Sequence, residues 1–155
     1  MSAVRPMTEA EFPGWRARHE VEYAANMVDF GGVAPEAAKV KAAQDFAQLL
    51  TNGLATHGHW LYTVEGDDGA PVGSLWLSER SDEQGTMLFV YDVNIDADRR
   101  GQGLGRAAME FAADEARRRD IPRVVLNVFG GNEVARNLYR SLGYDEMAMW
   151  MVKRV

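Results

Sequence analysis

The sequence predicts an α/β fold with a mixed sheet, and three observations carry that expectation. Two helical periodicities fill the first third of the chain. Two strand-like runs flank a turn-rich stretch and lead into a long strand. A strand, helix, strand succession then follows within about 40 residues, which implies a right-handed crossover between parallel neighbours. With 155 residues, 46% hydrophobic and 26% charged, a single domain over 1-155 with one sizeable core is expected.

The elements follow in order. "TEAEFPGWRARHEVEYAANMVDF" spaces Phe12, Trp15, His19, Tyr23, Met27 and Phe30 near a helical period, with Thr8 as N-cap before Glu11 and Gly31 and Gly32 as the stop. "PEAAKVKAAQDFAQLL" repeats the pattern with Pro35 in the first turn and Val40, Ala43, Phe46, Ala47 and Leu50 on one side. "HWLYTVEG" and "PVGSLWLSE" read as a hairpin around "GDDGA". In "TMLFVYDVNI" the odd positions are all apolar, whereas the even ones change from Leu88 and Val90 to Asp92 and Asn94. Leu104, Ala107, Ala108, Phe111, Ala112 and Ala116 mark an amphipathic helix closed by "RRR". "PRVVLNVF" is a strand, "NEVARNLYRSLG" a short helix capped by Asn132 and ended by Gly143, and "DEMAMWMVKR" a final strand.

Composition limits the chemistry. The absence of cysteine excludes disulfides, thiolate metal ligands and a cysteinyl intermediate. His57-Gly-His59 has no nearby carboxylate or thiolate to complete a metal site, so no metal is expected; His19 reads as a satisfied core residue. No apolar run reaches the roughly 18 to 20 residues of a membrane span, and "MSAVRPMTEAEF" lacks a signal-peptide pattern, so a cytoplasmic protein without membrane partners is expected. A net charge of -6 without a basic stripe speaks against nucleic acid. The charge is uneven. Residues 1–96 hold 6 Lys+Arg against 15 Asp+Glu, net -9, and residues 97–155 hold 11 against 8, net +3. A positive part suits an anionic ligand and a negative part a cationic one, although solvated surface alone also accounts for such runs.

"DADRRGQGLGRAA" carries the sharpest signal. Glycine permits unusual backbone angles and close approach to its N–H groups, and a helix N-terminus adds donors and partial positive charge. Such a loop can cradle phosphate, with Arg99 and Arg100 adding charge. A ligand there lies beyond the C-terminal ends of the parallel strands, where Asp92, Asn94 and Asn127 gather. The Walker pattern is absent. "GLGRAA" fits G-x-G-x-x-G/A, but the next strand ends in "VFGG" without the acidic residue a dinucleotide fold needs.

"RGQGLG", Arg100 to Gly105, matches the Q/R-x-x-G-x-G/A signature of the GNAT acetyltransferases, and "NEVARNLYRSLGY" resembles that family's later N-x-x-A-x-x-x-Y-x-x-x-G-F/Y segment. The resemblance covers roughly residues 86 to 144. Ala97 stands where many members have proline. The likeness implies a mainly antiparallel mixed sheet, flanked by helices, whose central parallel strands splay at an acetyl-coenzyme A site. It divides the domain into a helical acceptor side, 1-58, and an acetyl-coenzyme A-binding core, 86-144. The backbone of Gly101, Gln102, Gly103, Leu104, Gly105 and Arg106 would hold the pyrophosphate beside Arg100. The main chain of Val93, Asn94 and Ile95 would pair with the pantetheine arm, one N–H polarising the thioester carbonyl. Asn132 would bond the same arm, a role compatible with capping its helix. Tyr139 would protonate the departing thiolate, unless it is simply a core aromatic.

The implied reaction is acetyl transfer to a primary amine by direct attack, without metal or covalent enzyme intermediate. A carboxylate must first take the ammonium proton. Asp92 is the first candidate, in an apolar run where desolvation raises a carboxyl pKa; a structural hydrogen-bonding role competes, and a bulge would change its face. Asn94 and Asn127 suit orientation of substrate or water. The acidic part favours a cationic amine, small molecule or peptide. A non-catalytic coenzyme A sensor is the competing function, and the final strand is a candidate dimer edge.

Overall fold

The computed structural model describes residues 3–155 and confirms the α/β class. In chain order the elements are β1 (Ala3–Pro6), α1 (Phe12–Asp29), α2 (Pro35–Leu49), β2 (His59–Glu65), β3 (Pro71–Asp82), β4 (Gly85–Ile95), α3 (Leu104–Arg118), β5 (Val124–Leu126) and α4 (Glu133–Ser141). The sheet order is β1-β2-β3-β4-β5, antiparallel up to β4 and parallel between β4 and β5. Among the described residues no helix is long and apolar enough to cross a membrane.

β1 is the one element without a sequence signal. It has four residues and ends in Pro6, a residue that suits an edge strand. Arg5 holds it to the body through Glu65 at 2.6 Å and Glu11 at 2.8 Å. α1 begins later than Thr8 as N-cap implies: Glu11 holds the N-cap position without a side-chain cap, and the reciprocal bonds of Thr8 N–H to the Glu11 carboxylate (2.9 Å) and Glu11 N–H to Thr8 Oγ1 (3.3 Å) close the turn before it.

Two apolar clusters lie on opposite faces of the sheet. Trp15, Phe46, Leu50, Leu61 and Trp76 pack beneath α1 and α2, whereas Leu75, Leu77, Leu88, Val90, Met109 and Ala112 pack beneath α3. The α2 face differs from the expected one. Ala38, Ala42, Phe46 and Leu50 are buried, while Val40 is 58% exposed and Ala43 and Ala47 face solvent. The stripe is rotated because the small Ala38 and Ala42 let α2 approach Ala24 and Met27 of α1 closely.

A bulge governs β4. Trp76 pairs with Asp92 and Leu77 with Val90, leaving Tyr91 as the extra residue. Side-chain alternation therefore reverses across Tyr91. Leu88 and Val90 before it, and Val93 and Ile95 after it, pack with the α3-side clusters, while Asp92 and Asn94 reach residues of α1.

The C-terminal expectations need correction. β5 is confined to Val124–Leu126, and no strand forms over 145–154 among the described residues. Met147, Met149, Trp150, Met151 and Val152 stay exposed. A run apolar on both faces needs cover on both sides, and a three-residue edge offers neither cover nor a long ladder. Arg136 and Arg140 instead draw Glu146 onto α4, at 3.0 and 2.7 Å.

Candidate active site

The pairing of β4 with β5 ends at Val90 and Leu126, so Tyr91 to Ile95 continue past β5 with a ladder on the β3 side only. That divergence leaves the β5-facing main chain of Val93 and the N–H of Ile95 free to pair with an extended ligand, while the Ile95 carbonyl accepts from Arg100. Asn127 stands exposed just beyond β5, on the other side of the opening.

The glycine loop leads from β4 into α3. Gly101 and Gly103 have φ of +76° and +79°, and Gly103 is the α3 N-cap. A Cβ added at either would meet nothing within 4 Å, so the need for glycine there is the backbone angle and the open space above it. The N–H groups of Leu104, Gly105 and Arg106 are first-turn donors without an intrahelical acceptor. Gln102 lies exposed between the two glycines. Arg100 Nε donates to Ile95 O at 2.9 Å, tying the loop to the end of β4. Arg99 pairs with Asp68 at 3.3 Å, so its charge is partly engaged away from the loop. Arg106 donates to Ser141 Oγ at 2.6 Å, which fastens α3 to α4.

α4 brings two named residues to the opposite wall. Asn132 Oδ1 accepts from Ala135 N–H at 3.3 Å; its amide nitrogen keeps its donors for other partners. Tyr139 is half-buried beside Tyr144, with ring centroids 5.8 Å apart. Burial, reinforced by the charge of Asp92, pushes the Tyr139 hydroxyl up to about 12. Asp92 is thus near enough for its charge to act on the Tyr139 hydroxyl.

Asp92 has an incomplete environment. Its side chain keeps 32% of its surface, yet Oδ2 is buried and has no hydrogen-bond partner. Burial pushes the carboxyl up to about 6, opposed by His19 and reinforced by Glu22. His19 Nε2 lies 3.4 Å from Asp92 Oδ2 and 3.8 Å from Glu22 Oε2, and Asn94 Nδ2 donates to Glu22 Oε2 at 2.7 Å. Helical periodicity puts His19 in the core and gives Glu22 no role. His19 is indeed buried, but it also faces two carboxylates; the signal in the sequence is the i, i+3 spacing of His19 and Glu22 on a helix otherwise apolar on that side. His59 has a different task. It accepts from Trp76 Nε1 at 3.0 Å, and burial lowers its pKa. Among the described residues no cluster of three or more His, Cys, Asp or Glu could hold a metal.

Comparison with known proteins agrees with the fold. The Bacillus subtilis protein YycN, described as an uncharacterized N-acetyltransferase, is 31% identical over 150 residues, covering 97% of this chain and 96% of its own. The crystal structure of YycN matches with a TM-score of 0.91 over 100% of this chain and 99% of that one. A mycothiol acetyltransferase of Beutenbergia cavernae is 32% identical over 144 residues, 92% of this chain but 44% of that longer protein. The acetyltransferase (GNAT) family matches residues 23–144, and the chain belongs to that family.

Proposed function

We propose that this chain transfers an acetyl group from acetyl-coenzyme A to a cationic primary amine by direct attack. The carrying observation is convergence at one opening: the glycine cradle, the unpaired edge of β4, Asp92 from one face and Tyr139 from the other. The donor fits, because two left-handed glycines leave open space at a helix N-terminus. When bound, acetyl-coenzyme A supplies the activated thioester.

The chain's own residues supply the rest. Backbone N–H groups from Gly101 to Arg106 bind the pyrophosphate, with Arg100 adding charge. The main chain of Val93, Asn94 and Ile95 lines up the pantetheine arm, which Asn132 bonds, and one of its N–H groups polarises the thioester carbonyl. Asp92 removes the proton from the entering ammonium. A carboxyl near 6 is ionised at neutral pH yet more basic than a solvated one, which suits the task. The amine nitrogen then bonds the acetyl carbon, the C–S bond breaks, and Tyr139 O–H protonates the leaving sulfur. Asn127 orients the acceptor from beyond β5. Glu22 and Asp92 make this side anionic, which favours an acceptor carrying positive charge.

Thermal unfolding with acetyl-coenzyme A, with NAD as control, tests the reading. A ligand at 100 times its Kd stabilises by about 2.7 kcal/mol. A selective shift followed by amine-dependent thiol release is expected. A shift without thiol release across a panel of amines would favour a coenzyme A sensor. No shift at millimolar acetyl-coenzyme A would overturn the cradle.

A further inference from the structure

His19 sits among hydrogen bonds that define its protonation state. Its Nδ1 lies 3.0 Å from the carbonyl oxygen of Trp15, which only accepts, so Nδ1 carries the hydrogen in the neutral ring. Nε2 is then a bare acceptor. Trp15 Nε1 donates to Ser74 Oγ at 2.9 Å, leaving the Ser74 hydroxyl hydrogen for His19 Nε2 at 3.1 Å. Beyond Ser74, Nε2 faces Asp92 Oδ2 at 3.4 Å, and that oxygen has no hydrogen-bond partner. Two acceptors therefore face each other, with the single Nε2 lone pair occupied by the Ser74 hydrogen. When the Ser74 hydroxyl turns that hydrogen away, one added proton on either atom makes the contact a charge-assisted hydrogen bond.

The same nitrogen lies 3.8 Å from Glu22 Oε2, whose side chain is 48% exposed. A cavity of about 140 Å³ lined by His19, Glu22 and Arg18 opens beside them, with room for several waters. Asp92, His19 and Glu22 thus form a line from a buried carboxylate oxygen to solvent.

We propose that His19 is a positioning residue acting through Asp92, an outlet that takes the proton Asp92 has removed from the acceptor and releases it to Glu22 and the cavity water. This rests on the transferase reading. The balance of that reaction requires such an exit. An ammonium and a thioester give an amide, a thiol and one proton; Tyr139 gives its proton to sulfur and recovers one from the acylated nitrogen, so the first proton accepted by Asp92 must leave before the next turnover. The charged and titratable groups around the pair are Glu22 and Arg18 from α1 and Tyr139 from α4, with Glu11 and Asp96 on the cavity wall; β3 contributes the neutral Ser74.

Two measurements on the full chain test the outlet. In NMR spectra of the imidazole nitrogens, the Asp92→Asn variant should shift the His19 Nε2 resonance, because the group 3.4 Å away changes from a carboxylate to an amide. In steady-state assays with acetyl-coenzyme A and 1,4-diaminobutane, His19→Gln and the surface variant Glu22→Gln should lower kcat by about tenfold, more than KM changes, and small buffer acids and bases should restore part of the loss. A His19 Nε2 resonance indifferent to Asp92→Asn would overturn the outlet. So would wild-type kcat and pH profile in both variants, or losses that buffer does not relieve. No thiol release by the wild-type protein from this or any other amine would instead overturn the transferase reading, and the outlet with it.

Discussion

Asp92 and Tyr139 are both displaced upward by burial, and the displacement serves opposite tasks. Asp92 must be ionised to accept a proton, so kcat/KM should rise with pH through about 6 and flatten above it. Asp92→Asn should remove that limb and lower kcat/KM by about a hundredfold, measured as thiol release across pH 5 to 8. The same shift has a cost in stability. A carboxyl whose folded pKa lies above its ordinary value contributes stability in full below the ordinary value and loses it as pH rises through about 6. Asp92→Asn should therefore raise Tm by about 2–5 °C at pH 7.5 and by less at pH 4, a differential a purely polar structural role would not produce. Tyr139 keeps its proton until about 12, as a donor at neutral pH must. Tyr139→Phe keeps the ring against Tyr144 and should lower kcat by at least about tenfold while acetyl-coenzyme A affinity stays within about twofold; unchanged turnover would remove the hydroxyl from the mechanism. Asp92 was legible as a candidate because a lone carboxylate in an apolar strand is conspicuous. Its face was not, because one extra residue at Tyr91 reverses the alternation and nothing in "FVYDVN" marks the bulge.

At the level of elements, periodicity was readable where one face alone is buried. α1, α3 and the β2–β3 hairpin follow from their patterns, and the glycine loop follows from its spacing. The α2 stripe failed because alanines are apolar on every side, so the sequence could not say which of them would meet α1. The final strand failed for a related reason: "EMAMWMVK" is apolar on both faces, a pattern that states a need for cover but not a partner. The loop before α3 offers the cleanest experiment at this scale. Gly103 holds φ +79° with no protein atom within 4 Å of the place a Cβ would take, so a side chain there strains the backbone without a clash. Gly103→Val should cost about 1–2 kcal/mol in stability and leave a folded protein by circular dichroism. Its acetyl-coenzyme A affinity should nevertheless fall by at least about a hundredfold, since a β-branched side chain would occupy the space the pyrophosphate needs. Wild-type affinity in folded Gly103→Val would refute the cradle.

Across the whole molecule, the sheet divides the work. The α1 and α2 face carries Asp92, His19 and Glu22, and the α3 and α4 side carries the loop and Tyr139. The sheet edge at the opening is thinly held, because β5 pairs with β4 through three residues, Val124 to Leu126. A ligand lying along the free edge of β4, with its phosphates on α3 and its arm near Asn132, adds contacts there. Acetyl-coenzyme A should therefore slow amide exchange at Val93 to Ile95 and Gly101 to Arg106 through direct contact, and at 124–141 by restraining β5 and α4. α2 contributes none of the residues that would hold the ligand and should exchange at the same rate with and without it. Protection confined to the glycine loop would mean that the phosphates bind while the arm does not enter between β4 and β5, and the placement of the reacting carbonyl between Asp92 and Tyr139 would fall with it.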